Sequence, residues 1–291
     1  MNFNALKHEI SGRSVVSFVE ATDQLKALLF ACSKEEIVQI IPEIGTIPED
    51  IGHDSKEEKL YTKVSDIVFA KALYEMGYEV NVLRERADCA DIIAQSRHHN
   101  YSLVGDAKAF RLSRTAKNAK DFKVKSMVHW RGDCDYSVLV CPYFQYPKKA
   151  SQIYKDALDG NVALFSWEYL YVLLKENVKE TPDICLRSLW NQNETIAETT
   201  SVKSSKSNFL SEQNKLIAQF IGITYEIFEK YFSTAKDLLK DRGNKEILFY
   251  QSEIERVSNL SREEAVNELL TSMKLSSKIK TIQQFIDQLP K

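Results

Sequence analysis

Five short apolar runs in the middle of the chain limit its fold more than any other feature. The runs are YEVNVL (78–83), CADIIAQS (89–96), YSLVGDAKAF (101–110), YSVLVC (136–141) and NVALFS (161–166). Runs of this length between polar turns indicate β-strands. Apolar residues at helical spacing follow the last three runs, in 118–130, 151–159 and 167–175. This alternation predicts a mixed central sheet flanked by helices, an α/β fold.

The rest of the chain is predicted to be helical, with one linker. Residues 1–54 indicate an N-terminal helical segment, which a stretch with prolines and glycines interrupts at 42–52. The α/β core is expected over 55–190. Residues 191–207 have the composition of a linker. Beyond them, 208–291 carry helical periodicity without strand signals.

Composition indicates a globular protein. A chain of 291 residues that is 44% apolar can bury one or two hydrophobic cores. It contains no continuous apolar stretch of the ~20 residues that a membrane span needs, and its first residues lack the layout of a signal peptide. We therefore expect a cytoplasmic protein that does not associate with membranes.

Cysteine and histidine spacing narrows the choice of metal. The five cysteines include no C-x-x-C pair, which argues against a disulfide framework and against a zinc site. The five histidines also lack the spacing of known metal motifs. Any metal is therefore expected to be held by oxygen ligands, which favours magnesium.

Two aspartates in the second and third runs form the main candidate site. If these runs make a hairpin centred on the two adjacent histidines, opposed residues have numbers that sum to 197, and Asp91 faces Asp106. Opposed like charges ~5 Å apart are destabilising, whereas a shared divalent cation would reverse that effect. Lys108 projects from the same side as Asp106, while Ala107 points away and offers its backbone carbonyl. The alternative is an edge strand with scattered charges on its solvent face.

These residues resemble a nuclease signature. Asp91, Asp106 and Lys108, after a helix that carries a glutamate, are similar to the PD-(D/E)xK motif. A more specific resemblance, extending from about Glu57 to Trp190, is to the HindIII family of type II restriction endonucleases. The segments that carry it are DAKAFRLSRTAKNAKDFKVK (106–125), YFQYP (143–147) and LFSWEYL (164–170).

The resemblance implies a PD-(D/E)xK core and a Mg²⁺-dependent homodimer. Such an enzyme cleaves double-stranded DNA at a palindromic site, AAGCTT in the archetype of the family, and leaves 5′-phosphates. A restriction enzyme also requires a cognate DNA methyltransferase as its genetic partner, because the host's own sites must be protected.

The expected catalytic roles follow from the needs of phosphodiester hydrolysis. Asp91, Asp106 and the carbonyl of Ala107 are expected to hold the metal, which lowers the pKa of a bound water. Lys108 is expected to position that water and to stabilise developing charge. Glu58 is a candidate for completing the metal shell. A capping box with Ser55 explains Glu58 equally well.

The segment after the two aspartates is the candidate DNA-binding region, because eight basic residues lie between Gly105 and Arg131. Such a run is equally typical of a solvated helix face. Asn118, Lys120 and Asp121 are expected to read adenine, guanine and cytosine, respectively. For Asp121, the alternative is an ion pair with Lys117 or Lys125. Residues expected to contact phosphates are Arg111, Arg114, Lys117, Lys123 and Lys125.

Two other functions remain open from the residues alone. A DNA repair or junction-resolving nuclease of the same fold would keep the two aspartates and the lysine without needing base readers. A non-catalytic DNA-binding protein would keep the basic segment without needing a metal.

Overall fold

The computed structural model of the chain describes residues 1–83, 89–114, 118–147, 151–199 and 206–287. It contains a five-stranded mixed sheet whose spatial order follows the chain. The strands are β1 Tyr78–Val82, β2 Ile92–Ser96, β3 Ser102–Ala107, β4 Tyr136–Cys141 and β5 Val162–Ser166. The first three strands pair antiparallel, whereas β3, β4 and β5 run parallel. The predicted mixed α/β fold is confirmed.

Helices flank the sheet on both faces. The helices of the described residues are α1 Phe3–Arg13, α2 Phe18–Ala31, α3 Lys34–Ile44, α4 Lys56–Glu75, α5 Ala119–Phe122, α6 Val124–Trp130, α7 Gln152–Gly160, α8 Trp167–Lys175, α9 Arg187–Trp190, α10 Gln192–Thr199, α11 Lys206–Ile221, α12 Tyr225–Ser258, α13 Arg262–Ser272 and α14 Leu275–Asp287, with a 3-10 turn at Tyr143–Gln145. One core joins α1–α4 and α8 to one face of the sheet, and a second core joins α5–α7 to the other. Successive strand residues such as Val138 and Leu139 enter opposite cores, as the two-residue period of a strand requires.

Helix α4 begins directly after Ser55, the cap considered from the sequence, and a glycine follows its end. The Ser55 hydroxyl accepts the N–H of Glu58 at 3.0 Å, and Gly77 leaves the helix with φ 101°. Gly105 of β3 lies against this helix so closely that a Cβ there would come within 2.5 Å of the Phe69 ring. The missing side chain thus allows α4 to pack directly on the β2–β3 hairpin.

The single helix expected at 118–130 is instead two helices, α5 and α6. They are separated at Lys123, which has a left-handed backbone with φ 51°. Phe122 and Val124 are both buried in the second core. In a continuous helix, residues two positions apart point about 200° away from each other, so both could not face one core. Breaking the helix allows both side chains to be buried.

The expected boundaries of the N-terminal segment and the linker are not breaks in packing. Apolar residues of α1–α3 lie in the same core as α4, so residues 1–54 pack with the sheet. The expected linker at 191–207 includes α10, whose Ile196 is buried. The amide of Asn193 donates to the carbonyls of Ala157 and Val162 at 3.0 and 2.8 Å. The polar residues that suggested a linker therefore include one that fastens α10 to the core.

The chain divides into two compact units, Met1–Gly243 and Asn244–Lys291. In the second unit, the described residues form helices, as predicted for the C-terminal region. Its exposed apolar side chains include Ile247, Leu248, Ile254, Val257, Val266, Leu269, Leu270, Met273, Ile279 and Ile282. None of the helices in the described ranges combines the length and apolar character that a membrane span requires.

Candidate active site

The β2–β3 hairpin has the register expected from the sequence. Ile92 pairs with Gly105, so paired residues have numbers that sum to 197. One position further on, the backbone N–H of Asp91 donates to the carbonyl of Gly105 at 3.0 Å. Asp91 therefore stands opposite Asp106, close enough for Asp106 to raise the pKa of Asp91. The predicted convergence of the two acids is confirmed.

Lys108 completes the predicted trio. Asp106 is only 2% exposed, and its carboxylate forms an ion pair with the Lys108 ammonium. Burial alone would lower the pKa of Lys108. The charge and hydrogen bond of Asp106, together with the charge of Asp91, outweigh burial and raise that pKa. The lysine main chain is also fixed, since its carbonyl accepts the indole N–H of Trp167 at 3.0 Å. The ammonium is therefore held charged beside the two acids.

The carboxyl group of Asp91 is hard to ionise. Its pKa is raised to about 7, first by burial and then by the charge and hydrogen bond of Asp106, although Lys108 and Lys63 act in the opposite direction. Without a cation, the protonated form of Asp91 is therefore favoured up to about neutral pH. This is the electrostatic cost that the sequence predicted for two opposed carboxylates.

A third aspartate, which sequence reasoning missed, acts on the same cluster. Asp66 of α4 is 3% exposed, and burial together with Asp91 raises its pKa well above the usual range. Lys63, one helical turn before it, lies 3.4 Å from the Asp66 carboxylate and opposes this shift. An acid and a lysine inside the apolar stripe of α4 were the available sequence signal.

Glu58 does not join this cluster, and its proposed catalytic role is corrected. Its carboxylate accepts from the Nε and Nη2 atoms of Arg111 at 3.0 and 2.7 Å and from the N–H of Asp54 at 2.7 Å. Arg111 is only 4% exposed and also donates to the carbonyls of Pro48 and Ile51. These contacts engage the donors of Arg111 within the protein interior, so its expected phosphate contact would require Arg111 to leave them.

The acids offer the type of ligand atom that a hard divalent cation prefers. Asp66, Asp91 and Asp106 supply only oxygen ligands, and the Oδ1 atom of Asp66 is buried without a hydrogen-bond partner in the part of the chain that the structure describes. Ala107 is buried in the core under the sheet, so its side chain points away from Asp106, as expected. Burial and mutual repulsion of acids are penalties that a bound cation would relieve.

The candidate base-reading residues lie around α5, and one of them is already engaged. Asp121 forms an ion pair with Arg114 at 2.7 Å, and its other carboxylate oxygen accepts the backbone N–H of Asn118 at 2.7 Å. The alternative ion pair to Lys125 is not formed, since Lys125 approaches Asp156 at 3.9 Å. Lys117 lies outside the described residues.

The other cations of this segment face solvent. Lys120, Lys123 and Lys125 are exposed, and so is Asn118. The Lys123 ammonium lies 5.2 Å from the centre of the Trp130 ring, which orients it. The described part of the segment therefore presents an amide and three ammonium groups to a bound ligand.

Comparison with known proteins decides the class of this site. A family model described as HindIII restriction endonuclease matches residues 3–286. The chain belongs to the HindIII restriction endonuclease family. It is 40% identical over 269 residues to the type II restriction enzyme HindIII of Haemophilus influenzae, a match that covers 92% of this chain and 90% of that enzyme. The HindIII-family assignment favours a type II restriction endonuclease over a repair nuclease or a non-catalytic DNA-binding protein.

Proposed function

We propose that this endonuclease cleaves double-stranded DNA at a palindromic site, AAGCTT, by Mg²⁺-dependent hydrolysis that leaves 5′-phosphates. The observation that carries the chemistry is the convergence of Asp91, Asp106 and Lys108 at one end of the β2–β3 hairpin. The choice of site rests on the 40% identity to the Haemophilus influenzae enzyme over nearly the whole chain.

Asp91 and Asp106, with the carbonyl of Ala107, are the proposed magnesium ligands, and Asp66 supplies further negative charge. When bound, the cation supplies Lewis acidity and lowers the pKa of a coordinated water. Lys108 donates hydrogen bonds that orient the attacking water, and its charge stabilises the phosphate oxygens as negative charge develops. Asp106 serves a second purpose here, because its ion pair holds the Lys108 ammonium in place.

The segment around α5 is the proposed DNA-reading element. Asn118 suits a bidentate contact to adenine and Lys120 suits the acceptors of guanine. Asp121 can reach cytosine only by exchanging its ion pair with Arg114, so DNA binding would release that arginine towards a phosphate. Lys123 and Lys125 are the remaining proposed phosphate contacts of the described segment, and Lys117 keeps that role from the sequence alone.

We further propose that two copies form a homodimer in the cytoplasm, with a DNA methyltransferase of the same specificity as genetic partner. One active site per chain must act on both strands of a palindrome, which two-fold symmetry achieves. The helices of Asn244–Lys291 are the proposed contact. They expose many apolar side chains, and no residue of α13 is buried. Because short helices without packing are only marginally stable in water, contact with a second copy would stabilise them.

Digestion of two plasmids tests the proposal directly. One carries a single AAGCTT sequence and the other carries a one-base change at that position. With Mg²⁺ we expect double-strand cleavage of the first plasmid only, with ends that map within the site and carry 5′-phosphates. Asp106→Asn should remove most cleavage while circular dichroism shows an intact fold. Equal cleavage of both plasmids, or wild-type rates in excess EDTA, would contradict the proposal.

A further inference from the structure

A second group of metal-ligating side chains lies far from the catalytic acids. His99, Glu180 and Cys185 each place one ligand atom within 4.8 Å of the other two. His99 belongs to the turn between β2 and β3, whereas the other two belong to the loop after α8. The turn is at the opposite end of the hairpin from Asp91 and Asp106, about 15 Å away along the strands.

Glu180 is the least expected member of this group, because its side chain is fully buried. Its Oε1 atom accepts from the Tyr101 hydroxyl and from the N–H of Leu186, and Oε2 accepts from the Ser96 hydroxyl. A carboxylate has about four acceptor positions, so one remains on Oε2. Among the residues that the structure describes, no lysine or arginine forms an ion pair with this buried charge, which makes it costly.

His99 is held in a defined state. Its Nε2 atom lies 3.0 Å from the carbonyl oxygen of Thr181 and 3.1 Å from that of Ile184. Since both partners are acceptors, Nε2 carries a hydrogen, and Nδ1 is the ring atom that a metal would bind. A metal-binding histidine characteristically donates its other N–H to a backbone carbonyl in this way.

We propose that His99, Glu180 and Cys185 bind a zinc ion that fastens the β2–β3 turn to the loop after α8. Thiolate and imidazole select zinc over magnesium, so this site and the catalytic acids would take different metals. Zinc binds N and O at about 2.0–2.1 Å and S at about 2.3 Å, so small side-chain movements close the ligand set and leave a fourth position for water. Cys185 binds as the thiolate and releases its proton to solvent.

Sequence spacing excluded zinc because it considers only neighbouring ligands. These three residues are spread over 87 positions and meet only through the fold. Both His99 and Cys185 are partly exposed, which gives the ion access from solvent. The zinc ion would neutralise Glu180 and fix the hairpin register on which the pairing of Asp91 with Asp106 depends.

Cobalt substitution of the full-length protein, stripped of metal beforehand, tests the proposal. We expect one equivalent of Co²⁺ to produce a thiolate-to-cobalt charge-transfer band, and Zn²⁺ to displace it and raise the melting temperature. Cys185→Ser should abolish the band, and His99→Gln should weaken zinc binding at least about 10-fold. Matched controls are Cys134→Ser and His129→Gln, which alter a partly exposed cysteine and an exposed histidine elsewhere.

The outcomes separate this site from the catalytic one. Asp91→Asn combined with Asp106→Asn should leave the cobalt band unchanged. Absence of the band in the wild type, its survival in Cys185→Ser, or its loss in Cys134→Ser or in the double aspartate variant would overturn the proposal. If Cys185→Ser does not fold, the zinc affinity of His99→Gln relative to His129→Gln decides.

Discussion

At the scale of single residues, the site depends on which acids face the cluster and which face away. Asp66 and Glu58 lie on the same helix, eight positions apart, yet it is Asp66 that faces Asp91 and Asp106, whose charges raise its pKa. Glu58 instead neutralises the buried Arg111. The two acids therefore carry different functions, which substitution can separate.

Asp66→Asn should lower the cleavage rate by about 10–100-fold, the usual cost of removing a group that supports a metal site. Its free energy of unfolding should change little, because removing an acid of raised pKa is offset by the loss of the ion-pair partner of the buried Lys63. Glu58→Gln is the matched change. It should lower the free energy of unfolding by about 1–3 kcal/mol, because Arg111 loses its charged partner, while the cleavage rate of the folded fraction stays near the wild-type value. Cleavage assays and urea unfolding of both variants check these expectations. A wild-type cleavage rate in Asp66→Asn together with a large rate loss in Glu58→Gln would contradict the assignment.

The pKa of Asp91 predicts how stability depends on pH without metal. Its carboxyl group titrates near 4 when unfolded and at about 7 when folded, so the folded state binds more protons between these values. Stability from this group is therefore full below pH 4 and is lost as pH rises to 7. Asp91→Asn should be more stable than the wild type at pH 8 by about 1–3 kcal/mol in EDTA, and the difference should shrink towards pH 4. Urea unfolding across this pH range measures the effect, with Asp23→Asn at an exposed position as the control. A difference that does not depend on pH would show that Asp91 is not the titrating group.

At the scale of elements, the hairpin could be predicted and its surroundings could not. The pairing of Asp91 with Asp106 follows from local facts, namely the two-residue period of strands and the position of the turn. By contrast, the break at Lys123 depends on Phe122 and Val124 sharing one distant core. Arg111 likewise reads as a surface cation until its partner, 53 positions earlier, is brought beside it. Long-range contacts of this kind leave no pattern in the neighbouring sequence.

The close packing of α4 on the hairpin leads to a further prediction. A Cβ at Gly105 would lie 2.5 Å from the Phe69 ring and 2.8 Å from Ile92, so Gly105→Ala must push α4 away. We expect a loss of about 1–3 kcal/mol in stability and reduced cleavage, since Asp66 moves with the helix. Gly12→Ala, where nothing lies within 4 Å of the added atom, should instead be neutral or stabilising. Thermal unfolding of both variants checks the prediction. Equal stability of Gly105→Ala and Gly12→Ala would show that the side chains around Gly105 accommodate a Cβ atom without loss of stability.

The segment around α5 should separate base reading from phosphate binding. Asn118→Ala should narrow the affinity gap between AAGCTT and a one-base variant, because a bidentate base contact is worth ~1–3 kcal/mol. Lys125→Ala should weaken binding to both DNAs and reduce the salt slope by about one. Lys125 is the better phosphate variant than Lys123, whose ammonium also lies 5.2 Å from the centre of the Trp130 ring. Binding in Ca²⁺ at two salt concentrations measures both effects. If Asn118→Ala lowered the affinity for both DNAs equally, Asn118 would not read a base.

At the scale of the whole molecule, the helices of Asn244–Lys291 expose the apolar side chains that the proposed dimer would cover. Leu269 is 58% exposed and Ile254 is 67% exposed, and each lies on a helix of this unit. If a second copy covers them, a charge at either position must be buried without a partner, which costs several kcal/mol. Leu269→Glu and Ile254→Glu should therefore shift the protein from dimer to monomer in sedimentation velocity. Val15→Glu, at an exposed apolar residue of the first unit, is the control and should remain dimeric.

The monomeric variants should lose double-strand cleavage of AAGCTT, because one active site can cut only one strand at a time. A wild type that sediments as a monomer both free and on AAGCTT DNA would rule out the dimer, and dimeric glutamate variants would place its contact on another surface.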